Sequence, residues 1–415
     1  RLPGGLLLQN RLLWLGISSS ALIFTVWRCR LDLSEIRAPW KSLLSRSKRR
    51  TATLSPPVSA LDVQPRFSHR DSLSQYSSQL KMDIASLLKS PLLYVLLLGS
   101  IATVLAESGN HYNILSNDPY YPFTRLMLNV FYYGLYTLIM MVAIYYSGVL
   151  IHRENESGVS EIVGASPYAD WIMPASKTVA LCFIAIALLI TAMLTSIILQ
   201  ASAGYTNFEI GLYLKSLFVY TGFYYAMLCV LAVFIQILAP NKWFGMLLVF
   251  AAFIALAGLP SLGVEHILVG FRIPFAIYSD MNGYGPASAQ VFSLIGYWGF
   301  FCILLLLAGH LFYRRSSYST LRDRVRHARL RTNRAVASTF AIAALGFITV
   351  GCWIFYNTNI LNQYRSTKDQ QQLLAEYELN YGQYLRSPAP SYEQLSMEVD
   401  IYPEQRRLES RGHAI

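Results

Sequence analysis

Ile151-His-Arg-Glu-Asn-Glu-Ser-Gly-Val-Ser-Glu-Ile-Val-Gly-Ala-Ser-Pro-Tyr-Ala-Asp-Trp-Ile-Met-Pro-Ala-Ser-Lys177 is the stretch on which the reading of this 415-residue sequence turns. It is a charged interval between two long apolar blocks, 126–147 and 178–199. Gly158 has no Cβ, and a helix leaving the first block is predicted to break there. Val159 to Val163 have room for one helical turn, with Ile162 and Val163 on an apolar face. Pro167 ends that turn because it cannot supply a backbone N–H. The predicted product is a short acidic helix, flanked by Glu154 and Glu156 and carrying Glu161, held rigidly between the two blocks.

Six further apolar windows flank this pair, at 12–27, 92–106, 216–238, 243–259, 291–313 and 336–356. Each is long enough, or within a turn of long enough, to cross a hydrocarbon core of ~30 Å. The composition agrees: 54% of residues are apolar and 14% charged, where soluble domains carry about 25% charge. The expected fold is an all-α polytopic membrane protein with about eight transmembrane helices and a short external tail. Basic residues orient it. If Arg1 lies outside, the inner loops 28–91, 149–177, 239–242 and 314–335 hold 23 of the 34 Lys and Arg. The anionic inner leaflet then accounts for much of the net charge of +11, and no nucleic-acid partner is needed. Residues 357–415 are expected outside, with the chain in a bacterial inner membrane and the tail in the periplasm.

The sequence contains neither the H-E-x-x-H helix motif of zinc peptidases nor the G-x-x-x-x-G-K-[ST] phosphate loop. Cys29, Cys182, Cys229, Cys302 and Cys352 form no C-x-x-C pair and read as small hydrophobes. Within the apolar windows the strongly polar residues are Asn129, Gln236 and His310. The lack of intramembrane carboxylates weakens an ion-coupled or proton-pumping reading. No catalytic, cofactor-binding or metal-ligating residue is expected in this chain.

The interval 151–177 resembles the loop of type-2 ABC exporter permeases: an acidic cluster, Gly, a short apolar turn with another Glu, a Ser-Pro step, and a Lys opening the next span. Glu154, Glu156, Gly158, Glu161, Pro167 and Lys177 match that pattern. The resemblance implies that the loop docks on a separate ATPase subunit, which supplies ATP hydrolysis. Glu154, Glu156 and Glu161 would provide charge, and Ile162 and Val163 the apolar contact. Residues 72–90 place Leu73, Tyr76, Leu80, Ile84 and Leu87 on one helical face, with Ser72 and Gln75 spaced like a capping box. That is an interfacial amphipathic helix, as these permeases carry before their first span. A six-span permease unit is thus expected over 72–313, with the coupling loop at 149–177. The Gly- and Pro-rich segment 260–290 resembles the family's external, partly re-entrant hairpin. The span at 12–27 would be the last helix of a preceding membrane half, 28–71 a cytoplasmic linker, 314–335 a cytoplasmic Arg-rich loop and 336–356 a final span.

In the tail, Asn362-Gln-Tyr, Ala375-Glu-Tyr-Glu and Val399-Asp-Ile-Tyr-Pro-Glu resemble the junction of bacterial permeases fused to a zinc aminopeptidase of the membrane alanyl-aminopeptidase family. The tail is expected to hold a polar helix, then a lone strand from Leu395 to Ile401, the first of a truncated β domain. Zinc belongs only to the downstream domain, and the chain reads as an internal piece of a longer polypeptide. The expected partners are the ATPase subunit, the bilayer, and a second permease half or second copy. The competing readings are a membrane anchor for the peptidase and a mechanical or regulatory membrane protein that moves no solute. Eight spans with a coupling loop exceed what an anchor needs.

Overall fold

The computed structural model describes residues 16, 19–20, 69–113, 122–274, 276, 278–285, 287–315, 321–387, 393–403 and 407–415. Two compact units divide the chain, Arg1–Pro65 and Arg66–Ile415. In the first, only Gly16, Ser19 and Ser20 are described, and they are helical. The expected span at 12–27 and linker at 28–71 therefore lie largely outside the described residues.

The second unit is helical almost throughout, and seven of its described helices are long and apolar enough to cross a membrane. Helix α1 (His69–Leu88) precedes the spans α2 (Pro91–Asn113) and α3 (Thr124–Glu156). The short α4 (Ser160–Ala165) leads to α5 (Ile172–Ser202). Next, α6 (Ile210–Leu214) runs through a π-helical turn, Lys215–Thr221, into α7 (Gly222–Leu238) as one span. Then come α8 (Lys242–Gly258), α9 (Ala287–Phe312), α10 (Leu321–Arg331), α11 (Arg334–Phe355) and, in the tail, α12 (Thr367–Tyr381). Side-chain caps start several of these helices. Asn241 and Asn333 accept from Phe244 N and Val336 N, each at 2.8 Å. Ser366 and Asp369 form a reciprocal capping box on α12.

The helices at the loop overrun the windows that predict them. At 33 residues, α3 is about 50 Å long, against a hydrocarbon core of ~30 Å. Its last turns carry His152 to Glu156, so the apolar signal ends before the helix does. Helix α5 sits at the centre. Ala180, Leu181, Ile184, Leu188 and Ala192 are fully buried at helical spacing, and α1, α2, α3 and α7 all pack on it. Helix α11 packs chiefly on α9, where Tyr297 stacks on Phe347 at 4.3 Å. Ala343 and Ile354 are the buried residues of α11.

Two expectations are corrected. Helix α1 already runs from His69, so Ser72 is interior and caps nothing; Gln75 instead donates to the Pro167 carbonyl at 3.5 Å. The strand at 395 is not alone. β1 (Leu395–Tyr402) pairs antiparallel with β2 (Arg407–Ala414). Leu395, Met397, Val399 and Ile401 face Ala414, Gly412, Ser410 and Leu408. The small residues of β2 gave no hydrophobic alternation for a sequence reading to find. All four apolar residues of β1 remain exposed among the described residues.

Candidate functional site

Helix α3 ends where the loop's glycine allows it. Ser157 N donates to Arg153 O at 3.0 Å, and Gly158 takes a left-handed φ of 71°, which only glycine adopts without strain. Helix α4 then makes fewer than two turns. Ser166 leaves it in an extended conformation, ψ 142°, as a residue before proline should. Ile162, on α4, is 72% exposed, and Glu161 is exposed beside it. Val163 turns the other way, half-buried, lining with Met82, Pro167 and Met173 a groove between α1 and the loop. Gly164 lies flush against the backbone of Arg315, where a Cβ would collide with its carbonyl.

Beneath this turn is a chain of ion pairs. Lys177 is fully buried and sits 2.7 Å from Glu154 Oε2; its ammonium also donates to the Leu150 carbonyl. Arg153 bonds Asp83 at 2.6 Å and Glu154 at 3.2 Å. Asp83 is likewise fully buried and accepts from Ser176 Oγ at 2.8 Å. Helices α1, α3 and α5 are thereby tied together under the loop. On the far side, Asp170 pairs with Arg315 at 2.6 Å and Arg331 at 3.2 Å. Arg315 also donates to the Tyr168 carbonyl and lies over its ring at 4.4 Å. Burial pushes the Tyr168 hydroxyl up, so the ring stays neutral beneath that cation. Lys242, opening α8, reaches Glu156 at 3.2 Å.

The seven residues singled out from sequence thus divide by orientation. Gly158 and Pro167 bound the turn, Glu161 and Ile162 face outward, and Val163 lines the groove. Glu156 is exposed but pairs with Lys242. Glu154 faces inward, and its partners are Lys177 and Arg153. The sequence reading missed Asp83, Arg153, Asp170 and Ser176. A signal existed for Asp83, which stands three residues after Leu80 and four before Leu87, on the apolar face of α1. None existed for Asp170, whose arginines are far along the chain. Among the intramembrane polar residues, Gln236 is fully buried where Gly148 of α3 and Gly245 of α8 let the helices close in. His310 is half-buried, and the Asn129 side chain lies outside the described residues. Glu154 and Lys177 lie in the turns by which α3 and α5 extend past their apolar windows toward the loop.

No group of three or more His, Cys, Asp or Glu among the described residues is placed to hold a metal ion. The site is an exposed turn lying over a network of ion pairs. Residues 80–258 match a family model described as ABC-2 family transporter protein. The matched stretch opens within α1 and closes at the end of α8, taking in the whole loop and supporting a membrane permease of ABC-2 type. None of the curated proteins matches the chain.

Proposed function

We propose that the chain is the membrane permease part of an ATP-driven exporter and that α4 docks on a separate ATPase subunit. The observation that carries this is Ile162, an exposed apolar side chain on a short helix lying over the ion pairs that tie α1, α3 and α5 together. An apolar residue held in the open suits contact with a partner, and the ion pairs beneath link movement of the turn to α3 and α5. Glu161 and Glu156 supply the charge at the rim, and Glu154 transmits through Lys177 rather than touching the partner. The chain sits in a bacterial inner membrane with its tail outside. The tail's junction segments support continuation into a zinc aminopeptidase, which an aminoacyl-arylamide assay with metal analysis on the full-length protein would test.

The docking reading is tested by Glu161→Arg and Ile162→Ala. Both are expected to leave folding within about 0.5 kcal/mol of the parent, as surface changes do, while abolishing co-purification with the ATPase or its stimulation. Undiminished complex and ATPase activity in both variants would overturn it.

A further inference from the structure

At the end of the bundle opposite the acidic loop, the segment after α8 turns sharply through two consecutive left-handed residues. These are Gly270 at φ 93° and Phe271 at φ 54°. Phe271 is buried against Trp298, ring centroids 5.0 Å apart, and Trp298 Nε1 donates to the Arg272 carbonyl at 3.0 Å. A left-handed phenylalanine persists only where its surroundings over-determine it, and here those contacts hold Arg272 in place. Gly270 has a second use. Its missing Cβ leaves room for the guanidinium, whose Nε would lie only 3.3 Å from such an atom.

Arg272 lines a cavity of about 170 Å³ with Tyr136, Tyr224, Phe253, Leu256 and Ala257. Those residues belong to the spans α3, α7 and α8, and Ala257 is exposed, so the cavity reaches the surface of the bundle. The guanidinium is a fork of N–H donors. Among the described residues its one acceptor is the Leu256 carbonyl at 3.2 Å, and no carboxylate pairs with it. A half-buried cation at the level of the spans normally pairs or faces a pathway for charged ligands. An arginine fork suits a planar or tetrahedral oxyanion, which it binds through parallel hydrogen bonds.

We propose that this cavity binds a phosphate-class anion through Arg272, with Tyr136, Tyr224 and Phe253 walling the apolar part of the molecule that carries it. The site is separate from the exporter reading, since it needs neither the ATPase nor transport. Its source is either the headgroup of an anionic membrane lipid or a small phosphate entering from water.

The test uses the full chain, purified in a neutral maltoside detergent with no ATPase present. Phosphatidylglycerol, inorganic phosphate and uncharged monoolein are the probes, read by thermal unfolding and by the number of lipids retained in native mass spectrometry. Wild type is expected to retain one more phosphatidylglycerol than Arg272→Gln, with affinity at that site roughly tenfold or more weaker in the variant, the ratio of one charge-assisted hydrogen bond. Stabilisation by inorganic phosphate alone would assign a small soluble anion, and stabilisation by phosphatidylglycerol only would assign the lipid. Ala257→Trp, which fills the cavity and leaves the charge, is expected to lose the same site. It decides the matter if Arg272→Gln fails to fold. Retention in either folded variant equal to wild type, or a wild type that answers phosphatidylglycerol and phosphate no better than monoolein, would overturn the proposal.

Discussion

The two ends of the bundle are built on different physics. At the loop end, Asp83, Glu154, Glu156 and Asp170 each meet Arg or Lys within 3.2 Å, and two of the participating groups, Asp83 and Lys177, are fully buried. At the opposite end rings do most of the holding. Tyr220 stacks on Tyr284 at 4.2 Å, Phe271 meets Trp298, and Lys215 lies 5.4 Å over the Tyr284 ring. The ion pair described there, Arg125 with Asp280, is exposed and 3.7 Å apart. Buried charge pairs are unforgiving, because removing one partner strands the other. Ring contacts are individually weaker and tolerate sliding. The loop end is therefore held by pairs that cannot be broken singly without stranding a charge, and the opposite end mainly by ring packing.

That contrast breaks most visibly at Lys177. Lys177→Met leaves the Glu154 carboxylate without its ammonium, and the loss is expected to be about 3–5 kcal/mol, read as thermal unfolding in detergent. The double variant Lys177→Met with Glu154→Leu should recover much of it, since a neutral pair strands no charge. A small loss in the single variant would mean the end is not held by its ion pairs. Asp83→Asn comes next. It keeps the shape but loses a charge-assisted bond, for about 1.5–3 kcal/mol, and a double-mutant cycle with Arg153→Gln should show coupling between the two sites.

At the other end the expected effects shrink. Tyr284→Phe removes one hydroxyl, bonded to Ser216 in the π-helical turn, and keeps the stacked ring. The expected cost is about 0.5–1.5 kcal/mol; a cost matching Lys177→Met would erase the contrast between the ends. The smallest effect belongs to the tail. Thr367 donates twice to Glu265, at 2.8 and 2.7 Å, and Ser366 donates to Asp369. These bonds hold both carboxyls below their ordinary range. Depressed values in the folded state mean a contribution fully present above the unfolded values, about 4, and lost as pH falls through the folded ones. Hydrogen exchange at residues 366–370, corrected for its intrinsic pH dependence, should stay constant from pH 8 to 5 and rise below about pH 4. Loss of protection already near pH 6 would remove the two carboxylates as its cause.

Much of the site was legible because its determinants are local. Gly158 and Pro167 act on their own backbone, so the turn between them could be bounded without knowing its neighbours. The inward pairing of Glu154 was not legible, since an acid beside an apolar block reads as solvated until the buried Lys177 is known to lie against it. The Arg-rich segment behaved similarly. Its charges entered the sequence reading only as a count for the expected orientation, yet Arg315 and Arg331 also clamp Asp170, a contact across more than a hundred positions. Arg272 stood in the sequence as one cation in a glycine-rich loop, and nothing nearby marked it as facing the tyrosines of α3 and α7.

The sequence by itself determined that this is a membrane-spanning helical protein, because apolar runs of span length admit no other solution for the backbone in hydrocarbon. It also determined where the acidic turn starts and stops, because glycine and proline act through their own φ and their own N–H. Which charges face out and which face in was decided only by the tertiary structure. Helices α1, α3 and α5 bring together groups up to 93 positions apart, and a charge is inward or outward only with respect to the partner that meets it there.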